Sequence, residues 1–134
     1  VSGGLIFRNG KVLLLMRSPT AFFPNHWDIP GGKVRPDESF IKGFQREIFE
    51  ETGLRLIGID DFVYSFDFLD GQRRRTRQLN FFIDTDDASI SIDRKEHSNY
   101  SWFAESDLAA IVADVSVETF HAVATAFKIL KTSG

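Results

Sequence analysis

The chain has 134 residues, 43% of them hydrophobic and 26% charged, and a net charge of −3. That length suits one domain, residues 1–134, with a core able to bury about two-thirds of the unfolded surface. The acidic balance gives no global pull toward nucleic acid or a membrane surface, no apolar run approaches a membrane span, and the absence of cysteine excludes disulfides and thiolate chemistry. A cysteine-free chain also fits a reducing, cytoplasmic setting. The start, VSGGLIFRNG, has neither a basic nor an apolar signal region, so no secretion signal is expected. It also opens without methionine, which leaves the natural start open.

Two strands are expected first, over 3–8 and 11–17, joined by an Asn9-Gly10 hairpin turn. A proline-bearing loop, 18–26, leads to a short strand at Trp27–Ile29. A helix is expected over 38–52, with Asp37 as N-cap, Glu38 in the first turn and Gly53 just past the end. Its core stripe is read as Phe40, Ile41, Phe44 and Ile48. A long strand over 55–69, bent near Asp60-Asp61, turns at Asp70-Gly71 and returns over 77–84. A polar loop over 85–97, a strand at 100–103, a short helix at 107–112 and a longer one at 117–130 complete the chain. The last helix carries an apolar stripe of Phe120, Val123, Ala124, Phe127 and Leu130. Phenylalanine is abundant, at 14, and most of it is expected inside. Strands interleaved with helices argue for an α/β fold with helices packed on sheet faces.

The chemistry concentrates at 32–54, GKVRPDESFIKGFQREIFEETGL. At about 100° per residue, Glu47, Glu50 and Glu51 fall within an arc of about 100° on one helix face. Like charges so spaced repel. Glu51 also falls at the edge of the apolar stripe, where a carboxylate is costly to desolvate unless it is paired or bound to metal. Hard oxygen donors of this kind suit Mg²⁺ or Mn²⁺. The competing reading is a plain solvated acidic face.

The segment resembles the Nudix box, G-x5-E-x7-R-E-U-x-E-E-x-G-U with U aliphatic. Gly32, Glu38, Arg46, Glu47, Ile48, Glu50, Glu51, Gly53 and Leu54 fill every specified position. The lead-in WDIPGG, Trp27 to Gly32, and the later EHSNYSWF, Glu96 to Phe103, also look like the family. The resemblance implies a Nudix α/β/α sandwich with a mixed sheet. It implies a pyrophosphohydrolase that splits a diphosphate bridge in a nucleoside diphosphate linked to another group. By the same resemblance Glu47, Glu50 and Glu51 hold metal, with a Gly31 or Gly32 carbonyl as a further ligand, and a glutamate among them is a candidate base. Arg46 would hold these carboxylates, Glu38 would brace the loop, and Gly53 would end the helix. Glu96 is a candidate base or ligand on the facing loop, the alternative being a plain surface glutamate.

Arg17 is a candidate for phosphate contact, and Phe22 and Phe23 for stacking a base; Trp27 is expected to pack beneath the glycine loop. His97 is expected to be structural or exposed, His121 to be a plain side chain, and His26 to be a cleft candidate. The run Arg73, Arg74, Arg75 and Arg77 reads as a solvated hairpin tip rather than an RNA patch, because the chain is acidic and no aromatic interleaves it. Prolines occur only at 19, 24, 30 and 36, so the downstream proline associated with ADP-ribose hydrolases is absent. Coenzyme A and NADH signatures are not visible, and the catalytic cysteine of the isoprenoid isomerases is missing. What remains resembles the MutT-like group acting on nucleoside triphosphates, damaged ones included. Nucleotide sugars and dinucleoside polyphosphates are alternative substrates. A non-catalytic nucleotide-sensing module and an RNA-binding or decapping hydrolase are the alternative functions. The partner implied is a small nucleotide; a homodimer is left open.

Overall fold

The computed structural model describes residues 1–133. The N-terminal hairpin is divided between two sheets. Ser2–Leu5 (β1) enters one, and after Ile6 the chain crosses so that Phe7–Arg8 (β2) pairs with Lys11–Arg17 (β3) in the other. Asn9 and Gly10 form the turn at φ 52° and 77°, the two positive values that match the twist of the flanking strands. Trp27–Asp28 (β4) and Gly31–Gly32 (β5) follow, then Phe40–Thr52 (α1), Leu56–Leu69 (β6), Arg75–Thr85 (β7) and His97–Phe103 (β8). A 3₁₀ turn, Leu108–Ile111 (α2), a second 3₁₀ turn and Val117–Ser133 (α3) end the described chain.

The first sheet has the order β5-β1-β7-β6, with β1 and β7 parallel and the other pairs antiparallel. The second is antiparallel, with β3 pairing β2, β4 and β8. The fold is α/β, a mixed sheet and its antiparallel companion flanked by helices. The shift in β6–β7 register between Ile59 and Phe62 marks the bend expected near Asp60-Asp61.

The run VLLL in β3 shows why the sheets lie inside. Val12 and Leu14 join Ala122, Val123, Ala126 and Phe127 of α3 in one core cluster. Leu13 and Leu15 join Phe44 and Ile48 of α1 in the other. A strand covered on both faces needs an unbroken apolar run, not alternation. Each leucine so buried is worth about 1.5–3 kcal/mol.

Several expectations are corrected. The N-cap of α1 is Ser39, whose hydroxyl accepts the Lys42 N–H at 3.2 Å, not Asp37. Glu38 therefore precedes the helix instead of occupying its first turn. The buried face of α1 runs through Gly43, Phe44, Ile48 and Thr52. Ile41 and Phe40 lie 48% and 41% exposed, because the first helical turn overhangs the sheet. Phe40 packs its edge on Phe81 at 6.0 Å instead. In α3 the stripe is rotated. Thr119, Ala122, Val123, Ala126 and Phe127 are buried, and Leu130 is exposed, because the alanines let the helix approach the sheet closely. Phenylalanine is less internal than its abundance suggested: Phe22, Phe23, Phe40, Phe49 and Phe62 are all exposed.

Gly53 closes α1 at φ 76°, its N–H donating to the Phe49 carbonyl at 2.8 Å. A side chain there is strained by the left-handed backbone and would press on Ser91. Gly53→Ala is expected to destabilise the protein by about 1 kcal/mol, a fall in Tm of roughly 4 °C by calorimetry.

Candidate active site

Helix α1 presents its acidic face to the β4–β5 loop, and one arginine organises that face. The Arg46 guanidinium donates to Glu38 through Nη2 at 2.6 Å and Nε at 3.0 Å. Its Nη1 reaches Glu47 at 2.8 Å and Glu50, one turn on, at 3.2 Å. Nη2 also donates to the Lys33 carbonyl at 3.1 Å, tying the helix to the loop. Glu38 in turn accepts the Arg35 N–H at 2.8 Å. The Arg46 bonds, then that N–H, hold the Glu38 carboxyl down at about 2. The same carboxylates push the guanidinium further up.

Glu51 has no such cation. Its Oε1 accepts the Gly31 N–H at 2.8 Å. Burial pushes its carboxyl well up, and Asp28, Glu47 and Glu96 add like-charge repulsion. Glu47 is also raised, first by burial, with its Arg46 bonds opposing and Glu50 and Glu96 adding repulsion. The glycines make this crowding sterically feasible. A Cβ at Gly32 would overlap the Glu47 carboxylate, and one at Gly31 would overlap the Ser2 carbonyl.

These groups line a cleft of about 510 Å³. Asp28, Glu47, Glu51 and Glu96 give the lining its carboxylates, and Gly31 and Gly32 also line it. Phe22, Phe23, His26, Phe66 and Phe68 bring rings to the same lining. Glu50 is not among the lining residues; its side chain is 49% exposed beside Arg46. Arg17 does line the cleft, but its Nε is committed to the Phe22 carbonyl at 2.5 Å and its Nη1 to Asp28 at 3.2 Å. Phe22 and Phe23 are 55% and 46% exposed at the mouth. His26 lines the cleft and stacks on Phe23 with centroids 4.1 Å apart. Trp27 packs against Phe103 in a T-shaped pair with centroids 4.9 Å apart.

Three contributors carried no sequence signal strong enough to single them out. Asp28 accepts from Arg17 and lies 3.3 Å from the ring of His97, which is fully buried. Phe66 and Phe68 lie on the inner face of β6, where period-two alternation in VYSFDF places them. The arginine run lies at the β6–β7 tip. Arg74 pairs with Asp70 at 3.1 Å, and Arg77 pairs with Asp67 at 2.8 Å.

A family model of the NUDIX domain matches residues 1–123. The chain belongs to the Nudix family. It is 31% identical over 124 residues to the nucleoside triphosphatase NudI of Escherichia fergusonii, covering 86% of each chain. It is 51% identical to the m7GpppN-mRNA hydrolase NUDT17 of Xenopus laevis over 49 residues, 36% of this chain and only 17% of that one. Among solved structures, a MutT protein from Methanosarcina mazei Go1 superposes with a TM-score of 0.79 at 27% identity, covering 98% of this chain and 91% of that one. The protein is thus a Nudix hydrolase, and no described helix is long and apolar enough to cross a membrane.

The donors fit the divalent cation that Nudix hydrolases generally use. Partly buried carboxylates, crowded and short of positive partners, are stabilised by an added cation of hard character. Among the described residues no three acidic or histidine side chains close on one point. Without metal the sign of the pH dependence follows from the raised carboxyls. Above the ordinary value of 4.5 the unfolded chain ionises while Glu51 keeps its proton, so stability falls as pH rises until the native carboxyl also ionises. Glu51→Gln keeps an acceptor for the Gly31 N–H and removes the charge. In EDTA its Tm is expected to exceed wild type by roughly 4 °C at pH 8, on the order of 1 kcal/mol, with the gain gone below pH 4.5.

Proposed function

We propose that this chain, residues 1–134 acting as one domain, hydrolyses the diphosphate linkage of nucleoside triphosphates, damaged ones included, to nucleoside monophosphate and pyrophosphate. The reading is of a Mg²⁺-dependent enzyme, with Mn²⁺ as a substitute, working in the cytoplasm. One observation carries it: a single cleft is lined by both carboxylates and aromatic rings. A nucleoside polyphosphate has matching halves, an anionic chain that needs a cation and a base that stacks on an aromatic face. Similarity to NudI along 86% of both chains supports a nucleoside triphosphate.

Glu47, Glu50 and Glu51 are proposed to hold the cation, with the Gly31 or Gly32 carbonyl beside them. A bound Mg²⁺ would neutralise the diphosphate and lower the pKa of a bound water. Arg46 keeps two of these glutamates from repelling each other, and Glu38 keeps Arg46 in place. Glu96 faces them from β8's leading loop and is in no ion pair among the described residues. It is proposed to take the proton of the attacking water as oxygen bonds to phosphorus and the bridging P–O bond breaks. Phe22 and Phe23 are proposed to stack the base, and Arg17 to meet the phosphates by exchanging its bond to Asp28.

A hydrolysis screen over nucleoside triphosphates, oxidised deoxynucleoside triphosphates, nucleotide sugars and dinucleoside polyphosphates tests the reading. Turnover is expected to require Mg²⁺ or Mn²⁺ and to vanish in EDTA. Glu50→Gln and Glu51→Gln should each lower kcat about 10²-fold or more on every substrate, with the circular dichroism spectrum unchanged. Nucleotide binding without metal-dependent hydrolysis of any of them would instead indicate a sensing module.

A further inference from the structure

The arginine-bearing tip of the β6–β7 hairpin is not remote from the cleft. A Cβ at Gly71 would stand 3.7 Å from the Phe22 ring, so the tip packs against the aromatic mouth. Phe68 and Leu69, which lead into the tip, line the cleft directly. The tip itself is tightly built. Asp70 Oδ1 accepts the N–H groups of Gln72 at 2.8 Å and Arg74 at 2.9 Å, and its carbonyl accepts the Arg73 N–H at 2.9 Å. Within this loop Arg73 is held at φ 60°. That conformation costs a side-chain-bearing residue about 1 kcal/mol, and glycine or asparagine would adopt it more easily. The Arg73 guanidinium enters no ion pair among the described residues, whereas Arg77 is committed to Asp67 on the strand. Arg74, exposed and paired only with Asp70, stands beside Arg73.

We propose that Arg73 and Arg74 form an anion subsite for a phosphate carried on the ribose 2′ or 3′ oxygen of the substrate nucleotide. The inference rests on the orientation proposed above, polyphosphate at the carboxylates and base at Phe22 and Phe23. In that orientation the 5′ charge is held at the carboxylates, and the base is neutral. The ribose hydroxyls are then the positions left for further negative charge near the mouth. Two guanidiniums recognise a phosphate through charge-assisted, forked hydrogen bonds. The chemistry is shared by a free nucleoside bisphosphate, which ends in a monoester, and by the first nucleotide of an RNA, which continues as a diester.

Calorimetric titration in the absence of turnover tests the subsite. The probes are a nucleoside 5′-monophosphate, its 2′,5′- and 3′,5′-bisphosphates, and a 5′-phosphorylated dinucleotide, each at low salt with Mg²⁺. One bisphosphate is expected to bind about tenfold more tightly than the monophosphate, with a steeper salt dependence. The double variant R73N/R74Q, in which Asn keeps the left-handed tip, should abolish that preference while leaving monophosphate affinity unchanged. A gain shared by the dinucleotide assigns the subsite to RNA 5′ ends; a gain confined to a bisphosphate assigns it to free nucleotides. Equal affinity of all four probes in wild type, or a preference that survives R73N/R74Q, overturns the proposal. The titration measures no hydrolysis, so its failure is distinct from a failure of the triphosphatase reading, which the metal-dependent screen decides.

Discussion

Three carboxylates share one guanidinium, and the geometry of the cleft depends on that arrangement. Arg46 bonds Glu38, Glu47 and Glu50 at once and reaches the Lys33 carbonyl besides. Three negative charges against one positive charge leave an excess that water only partly screens, because Arg46, Glu38 and Glu47 are each largely covered. The cluster is tolerable because Arg46 is planar and forked, with donors to spare for Glu38, Glu47, Glu50 and the Lys33 carbonyl. Lysine has the same charge but no fork. It could hold one of these carboxylates well, not three. The tether to Lys33 also fixes the glycine loop over the helix, so Gly31 can donate to Glu51 and Glu47 can rest against Gly32.

Glu51 sits on the other side of that arrangement. It has a backbone N–H and no guanidinium, and it shares its surroundings with Asp28, Glu47 and Glu96. The protein gives Glu38, Glu47 and Glu50 a shared guanidinium and leaves Glu51, which lines the cleft, without one. A buried excess of negative charge is a cost to the fold alone and a source of affinity for a cation, so stability and binding oppose each other at these residues.

Much of this was legible in the sequence, for reasons that differ by element. The Asn9-Gly10 turn, the Gly53 cap and the β6–β7 turn at Asp70-Gly71 are local, and local chemistry specifies them. The spacing of Glu47, Glu50 and Glu51 put them on one helix face, and the edge position of Glu51 foretold its poor solvation. Spacing could not show which of them faces the cleft. Glu50 lies 49% exposed beside Arg46 and outside the cleft lining, which tertiary packing decides. The same limit moved the core faces of α1 and α3. Periodicity gives the apolar arc, but the sheet selects which part of it is covered. At α3 it selected Ala122 and Ala126 over Leu130, since close approach outweighs side-chain size.

Asp28 was hidden for a related reason. In the sequence it is one acid in a short strand; in the fold it meets Arg17 from β3 and buried His97 from β8. Its position also bears on Arg17. A guanidinium bound to Asp28 and to the Phe22 carbonyl is not a free phosphate ligand. It is a strut that couples the aromatic loop to the carboxylates of the cleft. An arriving polyphosphate can draw Arg17 away only by offering it a better partner than Asp28. It would then leave Asp28 unneutralised close to Glu51, strengthening the local demand for a cation. Phosphate and metal would thus each favour the other's binding through one aspartate, without a change in the helices that carry the site.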